Sequence, residues 1–420
     1  MSNISETTFC NFKNGSHLLV QFINCRILYQ KKIIKEDFWV KDGKILNPEK
    51  IFFDEKVLAD IQIDCKSMII APGYIDTQLN GGFGYDFSSN IESLEAGLNI
   101  VSKGILKYGV TSFCPTLVTS PANIYRQALP ILMKRKGSRN GAEILGAHCE
   151  GPFINIEKRG AHDPNFIKSD ANGGIQVLEL TYGSLDNIAI ITVAPELSGI
   201  VDCIPSLVER NIVVSIGHST ACLSQSEVAV SQGASFITHL FNAMLPFHHR
   251  DPGMVGLLTS DVTKKTVFYG MITDGIHTHP TALRIAYQSH PKGIVITTDA
   301  IAALGLSPGI YKLGTMSVEI SEKDAKIAGT NTLAGSVCSM DRCVYNFKQQ
   351  TNCSLVEAIE AATLHPAQLL GISDRKGTLD FNTDADFIFL DDQLNVHATF
   401  IAGDLVWNSE QMSHLSKIYN

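Results

Sequence analysis

The 420 residues are 45% hydrophobic and 18% charged, a balance that supports a buried core and excludes a disordered chain. A formal net charge of −8 excludes nucleic acid as a bulk partner, while leaving room for a small anion held by local donors. No apolar run reaches the roughly 18 residues of a membrane span, and the opening "MSNISETTFCNFKNGS" lacks a secretory pattern.

In chain order, residues 15–65 alternate in short strands such as "HLLVQFINCRIL" and "DFWVKDGKIL". Residues 376–407 repeat that pattern. These two flanks, taken as residues 1–70 plus 376–420, are predicted to pair into one small β-sandwich. Between them run eight apolar, Val- and Ile-rich segments, the mark of parallel strands buried on both faces. They are "MIIAPGYIDTQL", "TSFCPTLVT", "EILGAHCEG", "IAIITVAPE", "IVVSIGHS", "SFITHLFNA", "VFYGMITDG" and "GIVITTDA". Helix-like stretches such as "IESLEAGLNIVSKGILKYG" separate several of them. The alternation predicts an α/β fold, a (β/α)₈ TIM-like barrel over residues 71–375. A hairpin is expected at 310–330 and two helices at 340–370. The ten cysteines are scattered without a CxxC pair, which in a chain without a leader suits a reduced, cytoplasmic protein.

Most of the eight segments end on a polar residue, and in such barrels the strand C-termini converge on the active site. Nine of the 13 histidines fall between His148 and His290, so the chemistry is sought there. Glu150, His218 and His239 close segments three, five and six. A carboxylate with two imidazoles and an open fourth position is a catalytic zinc pattern. Taken singly, a strand-end Glu is more often a salt-bridge partner and a barrel His more often a structural hydrogen-bonding residue; the set at one rim points to a metal. Asp299, ending segment eight, supplies a carboxylate able to take a proton from water and pass it to a leaving amine. Alone it would also suit a helix cap.

The ordered motifs "HCEGPF", "GHS", "THLFNAM", "TDGIH", "TTDA" and "TLAGS" resemble the amidohydrolase superfamily, and within it the branch that deacetylates N-acetylglucosamine 6-phosphate. The resemblance spans essentially the whole chain and implies a phosphorylated amino sugar as substrate. It implies that His162 polarises the scissile carbonyl beside Ala161, and that Arg250 and His277 engage the phosphate. Backbone N–H groups at Asn242 and Ala243 would cup the phosphate oxygens, and the loop of Leu333, Ala334 and Gly335 would close over the sugar. It further implies a homodimer, in which part of the phosphate contact reaches across from the neighbouring subunit. Many superfamily members carry His-x-His after strand one and a carboxylated lysine after strand four; here Gln78 and Asn80 stand in the first place and "TVAPE" has no lysine. One divalent ion per subunit is therefore expected, zinc suiting the ligands best, with Gln78 free to orient water. His148 is read as a packing or supporting residue, and His277-x-His279 as loop rather than a second metal site. Two rivals remain: an amidohydrolase for another acylated amine or a nucleobase, and a non-catalytic barrel.

Overall fold

The computed structural model describes residues 18–50, 58–261, 266–313, 316–321, 324–330 and 333–415. Eight parallel strands form the barrel: Tyr74–Leu79, Val110–Leu117, Ala147–Glu150, Ile188–Val193, Val213–Ile216, Phe236–Ile237, Phe268–Ile272 and Ile294–Thr297. Each pairs with the next in sequence. The ring closes where Leu79 bridges Ala300 and the Asp299 N–H donates to the Gln78 carbonyl at 2.9 Å. Every residue of the second and fourth strands is buried, because helices cover the outside of the barrel and side chains fill the inside. The helix Ile200–Glu209 shows how the cover is made. It buries Ile200, Cys203, Ile204 and Leu207, spaced three or four apart along one stripe. Each apolar side chain so buried contributes roughly 1.5–3 kcal/mol, and a charge at Ile204 would break the stripe at its centre.

The expected segment "MIIAPGYIDTQL" divides at Gly73. Ile69–Pro72 joins a neighbouring six-stranded sheet, and the barrel strand starts at Tyr74. The chain changes partners there: the Gly73 N–H donates to Asp386 and the Tyr74 N–H to Gly109. The six-stranded sheet runs in the order Asp404–Asn408, Val396–Ile401, Phe387–Leu390, Ile69–Pro72, Arg26–Tyr29, Lys32–Ile34. A second sheet holds Lys44–Ile45, Phe38–Lys41, Val20–Ile23 and Ile61–Asp64. The two share an aromatic core of Phe22, Phe38, Phe387, Phe389 and Phe400, with the Phe387 and Phe400 rings stacked 4.4 Å apart.

A charged knot fastens these sheets to the barrel. Lys376, 3% exposed, bonds Glu143 at 3.0 Å and also Asp386, while Arg375 donates to Glu143 at 2.7 Å and Asp384 at 3.1 Å. Burying a charge is tolerated only with such pairing. After barrel strand eight, the expected hairpin is a four-stranded antiparallel sheet of Gly309–Leu313, Met316–Ile320, Ala325–Ile327 and Leu333–Gly335. The two expected helices are three: Met340–Thr351, Leu355–Glu360 and Leu364–Leu369. Asn352 turns left-handed (φ 58°) to end the first, and Ser354 with Glu357 forms a capping box that starts the second. Among the described residues, no helix is long and apolar enough to cross a membrane.

Candidate active site

The polar residues that were expected to end the strands lie just past them. Glu150 is the last residue of its strand, whereas His218, His239 and Asp299 come two residues after the last paired position. All three have left-handed backbones, with φ of 48°, 27° and 46°. That conformation costs a non-glycine residue roughly 1–2 kcal/mol, and it swings each side chain inward over the barrel mouth. Gly217 permits the approach of strands five and six, since a Cβ there would sit 2.7 Å from the Thr238 Cβ.

These turns bring three lone-pair atoms together. Glu150 Oε1, His218 Nε2 and His239 Nε2 are each 3.0 Å from the other two, and all three residues are buried. His218 Nδ1 lies 2.8 Å from the Lys158 carbonyl, which can only accept, so its proton sits on Nδ1 and the Nε2 lone pair faces the other two atoms. Burial opposes a charge on Glu150, but the imidazoles of His218 and His239 outweigh it and hold its carboxyl well below the usual range. A carboxylate oxygen and two imidazole nitrogens this close fit a divalent cation at their centre. A looser grouping within 4.8 Å takes in His162 beside Glu150 and His218. His162 is less suited to bind the ion: the Thr119 N–H donates to its Nδ1 at 3.1 Å, leaving the proton on Nε2. Burial lowers its pKa to about 3, so it stays a neutral donor.

Asp299 stands across the same cavity, with its pKa raised to about 6 by burial and then by the Glu150 charge. Asn80, one of the two amides in the His-x-His place, donates to Asp299 Oδ1 at 2.7 Å. The other, Gln78, donates to Glu150 Oε1 at 3.0 Å, so its N–H holds the carboxylate, and its Oε1 is the atom left for water. Asp76 adds a third tie: Thr298 Oγ1 donates to it at 2.6 Å, pinning the turn that carries Asp299. Glu196, past strand four, accepts from Ser219, Thr220 and Asn155, and so binds the His218 turn to the loop carrying Lys158.

The cavity of about 340 Å³ is lined by the metal triangle, His162, Asn80 and Asp299, and by Ala161, Asn242, Ala243, His277, Leu333 and Gly335. Ala334 lies between the last two in their strand. His277 Nδ1 is 2.6 Å from Asp274 Oδ2; burial disfavours its charge, yet the Asp274 bond outweighs burial and raises its pKa. The expected phosphate cradle differs at Asn242. The Asn242 N–H already donates to the His239 carbonyl at 2.9 Å. Arg250 is exposed, does not line the cavity of its own chain, and has its Nη1 3.4 Å from His249. His279 caps the helix Pro280–Ser289 by accepting from the Thr281 N–H, a structural role consistent with its loop reading. His148 is enclosed in the barrel, its Nδ1 on the Thr77 carbonyl and its Nε2 accepting from Thr192. Larger hollows, of about 570 and 360 Å³, lie against the small sheets, and no histidine lines them. The roles of Asn80 and Glu196 escaped the sequence reading because their partners are distant along the chain, whereas Asp274 holds His277 only three residues on, inside the motif already quoted.

Barrel, rim carboxylates and paired histidines define a hydrolase of the metal-dependent amide-cleaving class. A model of the amidohydrolase family matches residues 69–406, and the chain belongs to that family. N-acetylglucosamine-6-phosphate deacetylase of Danio rerio is 58% identical over 391 residues, covering 93% of this chain and 97% of its own. The Homo sapiens protein of that name is 55% identical, covering 93% and 96%. Among solved structures, the Pasteurella multocida deacetylase superposes with TM-score 0.81 at 28% identity, covering 93% of this chain and all of its own. An alanine variant of the Mycobacterium smegmatis deacetylase, in complex with N-acetyl-D-glucosamine-6-phosphate, gives TM-score 0.78 at 28% identity with the same coverage.

Proposed function

We infer that the chain is a metal-dependent deacetylase that hydrolyses N-acetylglucosamine 6-phosphate to glucosamine 6-phosphate and acetate. The observation that carries the mechanism is the placing of Asp299, held by Asn80, in one cavity with the Glu150–His218–His239 triangle and the His162 donor. Glu150, His218 and His239 would hold one divalent cation, zinc suiting two imidazoles and a carboxylate best, and the cation supplies Lewis acidity to water and carbonyl. Asp299 takes a proton from the attacking water and delivers it to the departing amine. The His162 Nε2–H donates to the oxygen that becomes negative as the acetyl carbon turns tetrahedral. Leu333 and Gly335 wall the cavity on the side of strand eight and exclude water from the sugar.

His277, its ring fixed by Asp274, meets the phosphate as a donor on Nε2, with the Ala243 N–H and the Asn242 side-chain amide beside it. Arg250, exposed and outside its own cavity, reaches the phosphate of the neighbouring subunit in a homodimer. The nine described cysteines are free thiols, which supports a cytosolic setting. The deciding experiment is acetate release from the phosphorylated sugar and from unphosphorylated N-acetylglucosamine, with the bound metal quantified. Acetate from neither sugar by the metal-loaded protein refutes the reading; equal kcat/KM on both removes the phosphate from it.

A further inference from the structure

Three carboxylates line the cavity: Glu150, Asp299 and Asp86. The first belongs to the metal triangle and the second carries protons, but the third has no part in the reaction as derived. Asp86 ends the short strand Tyr85–Asp86, which folds back on Gly81–Gly82 just after barrel strand one. The ribbon is held in place where the Phe87 N–H donates to the Asn80 carbonyl at 3.0 Å, so Asp86 stands beside the residue that grips Asp299. Its Oδ1 accepts from the Ser88 N–H at 2.7 Å, which fixes the side chain in an Asx turn. An ionised carboxylate can only accept hydrogen bonds, and every partner the structure gives this one is neutral. Burial opposes its charge, and no cation lies among its partners to compensate.

We propose that Asp86 is a specificity-determining residue that accepts a hydrogen bond from a ring hydroxyl of the sugar, on one of the two carbons adjoining the amide-bearing carbon. The proposal rests on the deacetylase reading above. With the acetyl group between the metal triangle and Asp299, the hydroxyls beside the amide are those brought nearest to the neighbouring strand-one loop. Asp86 also acts by repulsion. A phosphate placed on this side of the mouth would meet its charge, whereas His277 past strand seven offers a donor to the same anion. The cavity therefore admits the substrate in one direction and rejects the reverse.

The test is a cycle of protein and substrate changes. Wild type, Asp86→Asn and Asp86→Ala are assayed for acetate release from N-acetylglucosamine 6-phosphate and from its 3-deoxy and 1-deoxy analogues. A hydrogen bond to a charged acceptor predicts a loss of roughly ten- to a hundredfold in kcat/KM for the variants on the parent sugar. The analogue lacking the partner hydroxyl shows that loss already with wild type and loses little more with either variant. Variant losses that are the same on all three sugars overturn the proposal and leave Asp86 a structural support. Should Asp86→Ala fail to fold, wild type decides alone: equal kcat/KM on parent and both analogues overturns it. Failure of wild type to release acetate from the parent sugar at all would instead strike the deacetylase reading.

Discussion

Replacing Asp299 by Asn is the sharpest perturbation of the proposed chemistry. The amide keeps the shape, and its oxygen still accepts from Asn80 Nδ2, now 2.7 Å from the carboxylate. The backbone at φ 46° is one that Asn adopts more readily than most residues, so the turn survives where Ala would strain it. What disappears is the ability to take up a proton. General acid–base catalysis by a positioned group contributes about 10²–10⁴-fold, equivalent to roughly 3–5 kcal/mol of barrier. Stability should hold or rise, because Asp299 and Glu150 are buried anions that raise each other's energy, and the exchange removes one of them. The assay is a continuous measurement of acetate, run beside metal analysis and a melting curve. A variant with full metal content, unchanged melting and more than a tenth of wild-type kcat would refute the assignment of Asp299 as the proton carrier.

Asn80→Ala tests the pH dependence. The base works deprotonated, so kcat/KM holds above its pKa and falls as pH drops through it, at or below about 6 with the cation bound. Losing the Asn80 donor destabilises the anion and should move that acidic limb up by about one unit; an unmoved limb rules out the contact. Glu150→Gln should abolish stoichiometric metal, and Gln78→Leu should weaken binding roughly 10–100-fold in chelator competition, because the Gln78 N–H holds the ligand carboxylate. Retention of wild-type metal affinity by both variants would refute the site. Lys376→Ala leaves Asp386 buried without its cation and Glu143 with Arg375 alone, and should cost about 3 kcal/mol in denaturant unfolding; a loss under about 1 kcal/mol would show that Lys376 carries little of the knot.

The barrel strands were legible because parallel strands buried on both faces must be written as unbroken apolar runs, and Ile188–Val193 is such a run. Glu150, His218 and His239 were legible for a related reason: a polar residue closing an apolar run has few places to go but the rim. Fine geometry was not. Which nitrogen of His162 carries the proton follows from the N–H of Thr119, 43 positions away in the chain. The grip of Asn80 on Asp299 spans 219 positions, and no local pattern encodes such a pair. Arg250 was expected at the phosphate through the resemblance; what the letter could not carry is its exposure outside its own chain's cavity, a property of the folded loop. The extra strands at 309–335 and the third helix were missed because short elements differ from turns only by where their backbone groups find partners.

The middle of the six-stranded sheet is Ile69–Pro72, flanked on one side by Arg26–Tyr29 and on the other by Phe387–Leu390. As the chain is synthesised, that strand finds its first neighbour early and must wait for nearly the whole barrel before the second exists. Until then an apolar edge with unpaired backbone groups stands open, which is a template for unwanted association. The small β layer thus works as a clasp that shuts last, and a truncation before Phe387 would release the barrel with its seam exposed.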